Sequence, residues 1–124
     1  MKIAEAAAAS DLSVDTIRFY ESEGLLDPVA RGSDGHRRFS PRDLRWLSLF
    51  QKLRATGMPM AEMRRYADLA RGGEATYTER RIMLEAHQDR LAEQQAKIDA
   101  CRSLLDEKVR IYRGLEEEAA GKPG

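Results

Sequence analysis

Apolar residues recur along most of this chain at intervals of three and four, the spacing of one helical face. The alanine-rich run Ile3–Ala9 predicts a short first helix. Ser10-Asp11-Leu12-Ser13 reads as a turn, with Ser13 placed to cap a second helix and Asp15 in its first turn, where the helix dipole favours an anion. That helix runs to Ser22 and stops at Gly24. Pro28 then leads the chain out, because the residue before a proline resists helical backbone. Asp34-Gly35, between the short runs Val29–Arg31 and His36–Phe39, signals a hairpin. Ser40-Pro41 restarts a helix, serine as cap and proline in the first turn. Leu44, Leu47, Phe50 and Leu53 mark its buried face, and Thr56-Gly57 ends it. Pro59 opens a fourth helix with Met60, Met63, Ala67 and Ala70 on one side, closed by Gly72-Gly73.

The last segment differs in kind. Thr76-Tyr77-Thr78-Glu79 is a capping-box pattern, and neither proline nor glycine follows until Gly114. Tyr77, Leu84, Leu91, Ile98, Leu105 and Tyr112 recur every seven residues. A helix from Thr78 to Glu118 would extend about 60 Å, far more than a small domain can cover. Its apolar stripe therefore calls for a partner helix, most simply a second copy. The other seam position (Arg80, His87, Gln94, Cys101, Lys108, Leu115) is mixed, which favours a short, specific pairing over a long parallel zipper. The competing reading is a helix folded back on its own domain. The expected division is residues 1–71 as one compact domain, 76–118 as a dimerisation helix with Leu84, Leu91, Ile98, Leu105 and Tyr112 in its seam, and 119–124 as a disordered tail.

Composition narrows the function classes. The chain has 124 residues, one tryptophan, two histidines and one cysteine. This inventory offers no acid–base pair or nucleophile set, so no enzymatic activity, cofactor or resident metal is expected. A lone Cys101 excludes an intramolecular disulfide framework and fits a reducing, cytoplasmic setting. No apolar run is long enough for a membrane span or a signal peptide. Net charge is zero, but its distribution matters more. Between Arg31 and Arg54 seven cations (Arg31, Arg37, Arg38, Arg42, Arg45, Lys52, Arg54) face two anions (Asp34, Asp43), a local charge of +5. A basic segment inside a neutral chain is what phosphate binding needs.

Two short helices across a tight turn, then a hairpin, then more helices, outline a winged helix-turn-helix. The second helix carries Val14, Thr16, Arg18, Phe19 and Tyr20. Its early residues can reach base edges in a major groove, where threonine offers a methyl and a hydroxyl and Arg18 can fork onto guanine or a phosphate. One of Phe19 and Tyr20 belongs to the core, and Tyr20 has the phenol to reach a phosphate. Around the hairpin tip, Arg31, His36, Arg37 and Arg38 are placed for the sugar–phosphate backbone.

These stretches resemble the MerR family of bacterial transcription regulators. The matching residues are Leu12-Ser13-Val14-Asp15-Thr16-Ile17-Arg18-Phe19-Tyr20-Glu21, Gly24-Leu25-Leu26-Asp27-Pro28, Arg31, Gly35-His36-Arg37-Arg38-Phe39-Ser40 and Leu53-Arg54-Ala55-Thr56-Gly57-Met58-Pro59. The final helix is similar to that family's dimerisation helix. The resemblance implies a mainly α fold, a winged helix-turn-helix followed by a long antiparallel coiled coil, and a homodimer on a pseudo-palindromic promoter. It also implies an inducible activator that bends and untwists an overlong promoter spacer until RNA polymerase engages both elements, so that DNA deformability enters recognition. Residue by residue, Arg18 and Tyr20 match recognition-helix contacts, Arg31 and Arg37 wing phosphate contacts, and Arg54 a backbone contact from the third helix. The chain departs from the pattern at Asp11, where the family has glycine, and at His36 and Phe39, where it has wing aromatics with hydroxyls. These changes are expected to tune affinity.

The family's sensors fit poorly. Metal-sensing members have a cysteine at the start of the dimer helix, where this chain reads Ala75-Thr76-Tyr77-Thr78, and iron–sulfur members need more cysteines than Cys101. In aldehyde- and thiol-stress members a cysteine stands where this chain has Lys52. Multidrug-binding members append a large ligand domain, which 124 residues leave no room for, so a short form without a separate effector domain is expected. Two inducer options stay open. If antiparallel helices cross near Gln94, His87 of one chain faces Cys101 of the other as a redox or soft-metal pair. An unidentified small molecule could instead sit among Met60, Met63, Tyr66 and Tyr77. The alternative function is a coiled-coil interaction module whose winged domain binds a protein rather than DNA.

Overall fold

In a computed structural model the chain is mainly helical, and residues 1–27 and 31–122 are described. The helices are α1 (Ile3–Ser10), α2 (Val14–Ser22), α3 (Pro41–Ala55), α4 (Met60–Arg71) and α5 (Tyr77–Gly121), with one turn of 3₁₀ helix at Gly73–Thr76 before α5. The chain divides into two units, Met1–Glu85 and Ala86–Gly124.

Local chemistry accounts for the helix ends. The Ser13 side chain accepts from the Thr16 amide at 3.0 Å and starts α2. Ser40 accepts from the Asp43 amide at 3.1 Å while Asp43 accepts from the Ser40 amide at 2.8 Å, a reciprocal cap that starts α3. The turn between α1 and α2 passes through Asp11 at φ 58°, the left-handed conformation expected where the family has glycine.

The core of the first unit draws on every element. Ile17, Leu47, Phe50 and Met63 are fully buried, each worth about 2 kcal/mol of apolar burial. Ala6, Tyr20, Leu25, Leu26, Phe39, Leu53 and Ala67 close around them. Trp46 stacks on Phe50 at 5.4 Å, and Tyr66 meets Phe50 edge-on at 6.4 Å.

Several expectations need correction. Among the described residues the hairpin forms no strand; it is a turn closed by one antiparallel bridge, Arg31 to Arg37. Val29 and Ala30, in its predicted first arm, and Pro28 before it lie outside the described residues. Past the bridge, Arg37 is turned to Glu21, Arg38 is exposed and Phe39 is buried. Helix α5 continues to Gly121, past the boundary placed at Glu118, because Ala119 and Ala120 are strong helix formers. Leu84, assigned to the dimer seam, packs against the core of the first unit.

In the second unit Ile98, Leu105, Val109 and Tyr112 are all about half exposed or more and share one face of α5 by their seven-, four- and three-residue spacing. Leu104, Ile111 and Leu115, also half exposed, form a second stripe beside it. Leu91 is partly buried. No helix among the described residues is long and apolar enough to cross a membrane.

Candidate nucleic-acid interface

In the first unit α1, α2 and the wing turn surround a shared hollow that brings together Arg31 and Arg37 of the basic segment with Arg18 and His36, but not Arg38, Arg42, Arg45, Lys52 or Arg54. Lys2, Arg18, Glu21, Arg31, His36 and Arg37 line a concavity of about 570 Å³. Arg18 and Arg31 are both exposed there. The bridge of Arg31 to Arg37 and the Gly32 amide donating to the His36 carbonyl at 2.8 Å shape the wing side. Arg31 Nη1 donates to the Gly35 carbonyl at 2.8 Å, which stiffens the turn and leaves the rest of the guanidinium facing out.

Asp34 organises the tip. Its carboxylate accepts from the His36 amide at 3.0 Å and from Arg38 Nη2 at 2.9 Å, with Lys2 Nζ at 3.7 Å. The His36 amide bond, seconded by the Arg38 guanidinium, holds the Asp34 carboxyl below its ordinary 3.8. Behind the turn, Met1 and Phe39 exchange two backbone hydrogen bonds, at 2.7 and 2.8 Å, which tie the wing's return to the start of α1.

Arg37 has a different post from the one expected. Its Nη1 donates to Glu21 Oε2 at 3.0 Å, and the carboxylate side is only 16% exposed. The pair braces the wing against α2 and is worth more than an open surface bridge. Arg37 thus builds the hollow as well as lining it. Lys2 and Glu21 were missed by the sequence reading. Lys2 lies far upstream of the basic segment, and an acid on a recognition helix gives no sign of which cation it will hold.

The choice between Phe19 and Tyr20 is resolved. Tyr20 is core, 2% exposed, and Phe19 is outside, 43% exposed. The expectation that Tyr20 would reach a phosphate is corrected accordingly: its ring is committed to packing. Burial raises the phenol above its ordinary 10.0, against the pull of the Arg54 guanidinium. Arg54, exposed at the end of α3, lies 5.9 Å from the Phe19 ring centroid, so these two form a second surface beside the hollow. Val14 is half-buried at the start of α2, and the Thr16 hydroxyl accepts from Ser13 at 2.8 Å within the cap. Phe39 is 2% exposed, so the hydroxyl it lacks relative to the family would have been buried.

The option that pairs His87 with Cys101 needs two chains, since within one chain the two lie apart on α5. His87 is buried, with Arg90 Nη2 3.1 Å from its Nδ1, whereas Cys101 is exposed. Fourteen helical residues separate them, about 21 Å. No group of three or more metal-ligating side chains occurs among the described residues. Met63 and Tyr66 are core, Met60 packs against it, and Tyr77 is 59% exposed beneath the Arg80 guanidinium.

Comparison with known proteins decides the family. The profile described as "MerR HTH family regulatory protein" matches residues 1–70, and "MerR, DNA binding" matches 44–108. The chain belongs to the MerR family. It is a DNA-binding transcription regulator. An uncharacterized HTH-type transcriptional regulator of Haemophilus influenzae is 38% identical over 89% of this chain and 82% of its own length. The AdhR regulator of Bacillus subtilis is 31% identical over 75% of this chain and 66% of its own. Among solved structures, HiNmlR, a MerR family regulator lacking the sensor domain and bound to promoter DNA, is 36% identical with a TM-score of 0.84, covering 94% of this chain and 92% of its own. A Listeria monocytogenes chain ascribed to the same family is 31% identical with a TM-score of 0.88, over 97% and 94%.

Proposed function

We propose that this regulator binds double-stranded promoter DNA as a homodimer, with α2 in the major groove and the wing on the adjacent backbone. The observation that carries the reading is the convergence of Lys2, Arg18, Arg31, His36 and Arg37 on one hollow, within a chain of zero net charge. Arg18 reads or anchors, Val14 and Thr16 face the groove, and Arg31, His36 and Arg37 take phosphates. Arg54 and Phe19 flank them. Residues 1–71 serve as the DNA-binding domain and 76–118 as the dimerisation helix, whose exposed face of Ile98, Leu105, Val109 and Tyr112 pairs with a second copy. Two wings so joined suit a pseudo-palindromic site, which the dimer bends for RNA polymerase.

Footprinting across the protein's own upstream region, with salt titrated, tests this. A protected pseudo-palindrome is expected, with affinity falling roughly 10³-fold or more between 50 and 200 mM salt if six or more phosphates are contacted. Arg31→Gln should lower the salt slope by about one. Absence of protection at low salt on its own and neighbouring promoters would overturn the reading in favour of a protein partner.

A further inference from the structure

Arg64 and Arg71 lie seven residues apart, on one face of α4, and both grip the same short stretch of chain: the exit from α2. Arg64 pairs with Glu23, the residue that ends α2. Arg71 does more. Its Nη2 donates to the Gly24 carbonyl at 2.6 Å and to the Leu26 carbonyl at 3.3 Å, its Nε to Asp27 at 2.9 Å, and its Nη1 to Asp68 at 2.8 Å. Neither arginine lines the basic hollow.

The stretch they hold is where α2 gives way to the wing, since Arg31 comes four residues after Asp27. Leu25 and Leu26 are buried and fix how deep this stretch sits. Apolar burial is non-directional, and the backbone bonds from the Glu23, Gly24 and Leu25 amides to α2 orient only the near end of the stretch. The two carbonyls facing one guanidinium supply the direction. Asp27 and Asp68 are 61% and 74% exposed, so their ion pairs are weak and the carbonyl bonds carry the clamp. A planar fork with five donors can serve four acceptors arriving from different sides, which an ammonium on a single nitrogen cannot.

We propose that Arg71, supported by Arg64, is a positioning residue for DNA binding, holding residues 23–27 on α4 so that the wing re-emerges at a fixed place relative to α2. The inference rests on the DNA-binding reading above. The clamp also joins the interface to the start of α5. Arg71 is the last residue of α4, and just beyond it Thr76 Oγ1 donates to the Leu69 carbonyl at 2.6 Å and Arg80 Nη2 to the Gly73 carbonyl at 2.9 Å.

The test is Arg71→Lys in the full chain, alone and combined with Arg31→Gln, with promoter affinity, salt slope and melting temperature measured for each. Lysine keeps the charge, so a direct phosphate contact by Arg71 would leave the slope unchanged. Positioning predicts an affinity loss of about tenfold, the scale of one charge-assisted contact. It also predicts a slope lower by about one per wing phosphate released. In the Arg31→Gln background the same substitution should cost less than it does alone, because one of the wing contacts it acts through is already gone. Wild-type affinity and slope in Arg71→Lys, full additivity with Arg31→Gln, or a loss explained by the unfolded fraction alone would each overturn the proposal. Should Arg71→Lys fail to fold, Arg64→Gln releases Glu23 in the same stretch and must show the same non-additivity. Wild-type protein that protects no promoter would overturn the DNA-binding reading itself, a result distinct from wild-type binding with an indifferent Arg71.

Discussion

The junction between α4 and α5 offers a sharp test of how tightly the two are held. A Cβ added at Gly72 would stand 2.8 Å from Thr76 Cγ2 and 3.2 Å from the Leu69 carbonyl oxygen. Backbone conformation is no obstacle, since Gly72 has φ −78° and ψ −4°. Alanine there should even gain about 0.5–1 kcal/mol by restricting the unfolded chain. Against that gain, the Thr76 side chain must move, and its hydroxyl shares its one proton between the Leu69 carbonyl at 2.6 Å and the Gly73 carbonyl at 2.8 Å and accepts from Arg80 Nε at 3.0 Å. Losing the donated bond and the one accepted from Arg80 costs about 2 kcal/mol, at roughly 1 kcal/mol each. The net expectation for Gly72→Ala is a destabilisation of about 1–1.5 kcal/mol, a fall in melting temperature of several degrees at fixed protein concentration. Thr76→Ser removes the colliding methyl and keeps the hydroxyl. The double variant Gly72→Ala/Thr76→Ser should therefore melt at or above the temperature of Thr76→Ser alone, a coupling of at least about 1 kcal/mol. Additive losses, or a Gly72→Ala protein as stable as wild type, would show that Thr76 yields without cost and that the junction is not latched as described.

Two other expectations follow from single residues. Asp11 sits at φ 58°, so Asp11→Ala should destabilise by about 1 kcal/mol, whereas Asp11→Gly should be neutral or slightly stabilising, as read by thermal melting. The buried Tyr20 phenol is raised above 10.0, so ultraviolet titration should show it ionising later than a model tyrosine. Because the folded value is the higher one, its contribution to stability is complete below pH 10 and declines as pH rises further; a Tyr20→Phe protein with the same alkaline melting curve would contradict this.

What could be read from the chain beforehand was what local chemistry determines. Ser13 and Ser40 announce helix starts because a cap is a contact across three residues, and both form. The left-handed turn at Asp11 and the buried faces of α3 and α4 are local in the same sense. What could not be read depended on contacts across the fold. Whether Phe19 or Tyr20 enters the core turns on how α2 rolls against α1 and α3, and both aromatics suit either place. Arg37 carries the sequence mark of a phosphate ligand, yet Glu21, sixteen residues earlier, claims one of its nitrogens. The pairing of Arg71 with Gly24 and Leu26 uses backbone carbonyls, which leave no trace in side-chain identity. On α5 a strict seven-residue count found Ile98, Leu105 and Tyr112 but passed over Val109, Leu104 and Ile111, because an apolar face also recruits positions three and four residues on.

The division of labour within α4 draws these observations together. One face gives Met63, Tyr66 and Ala67 to the core and so holds the first unit closed. Another gives Arg64 and Arg71 to the segment between α2 and the wing. Its last turn offers the Leu69 carbonyl to Thr76 at the threshold of α5. None of these residues lines the basic hollow, yet Arg31, which does, comes four residues after the segment α4 holds. Changing the sign or number of surface charges would alter how strongly such an interface attracts phosphate, and salt would reveal it. Changing α4 instead alters whether the charges arrive in register at full net charge. A regulator of this family can therefore lose its site with every DNA-facing residue intact, and Arg71→Lys separates these two kinds of failure.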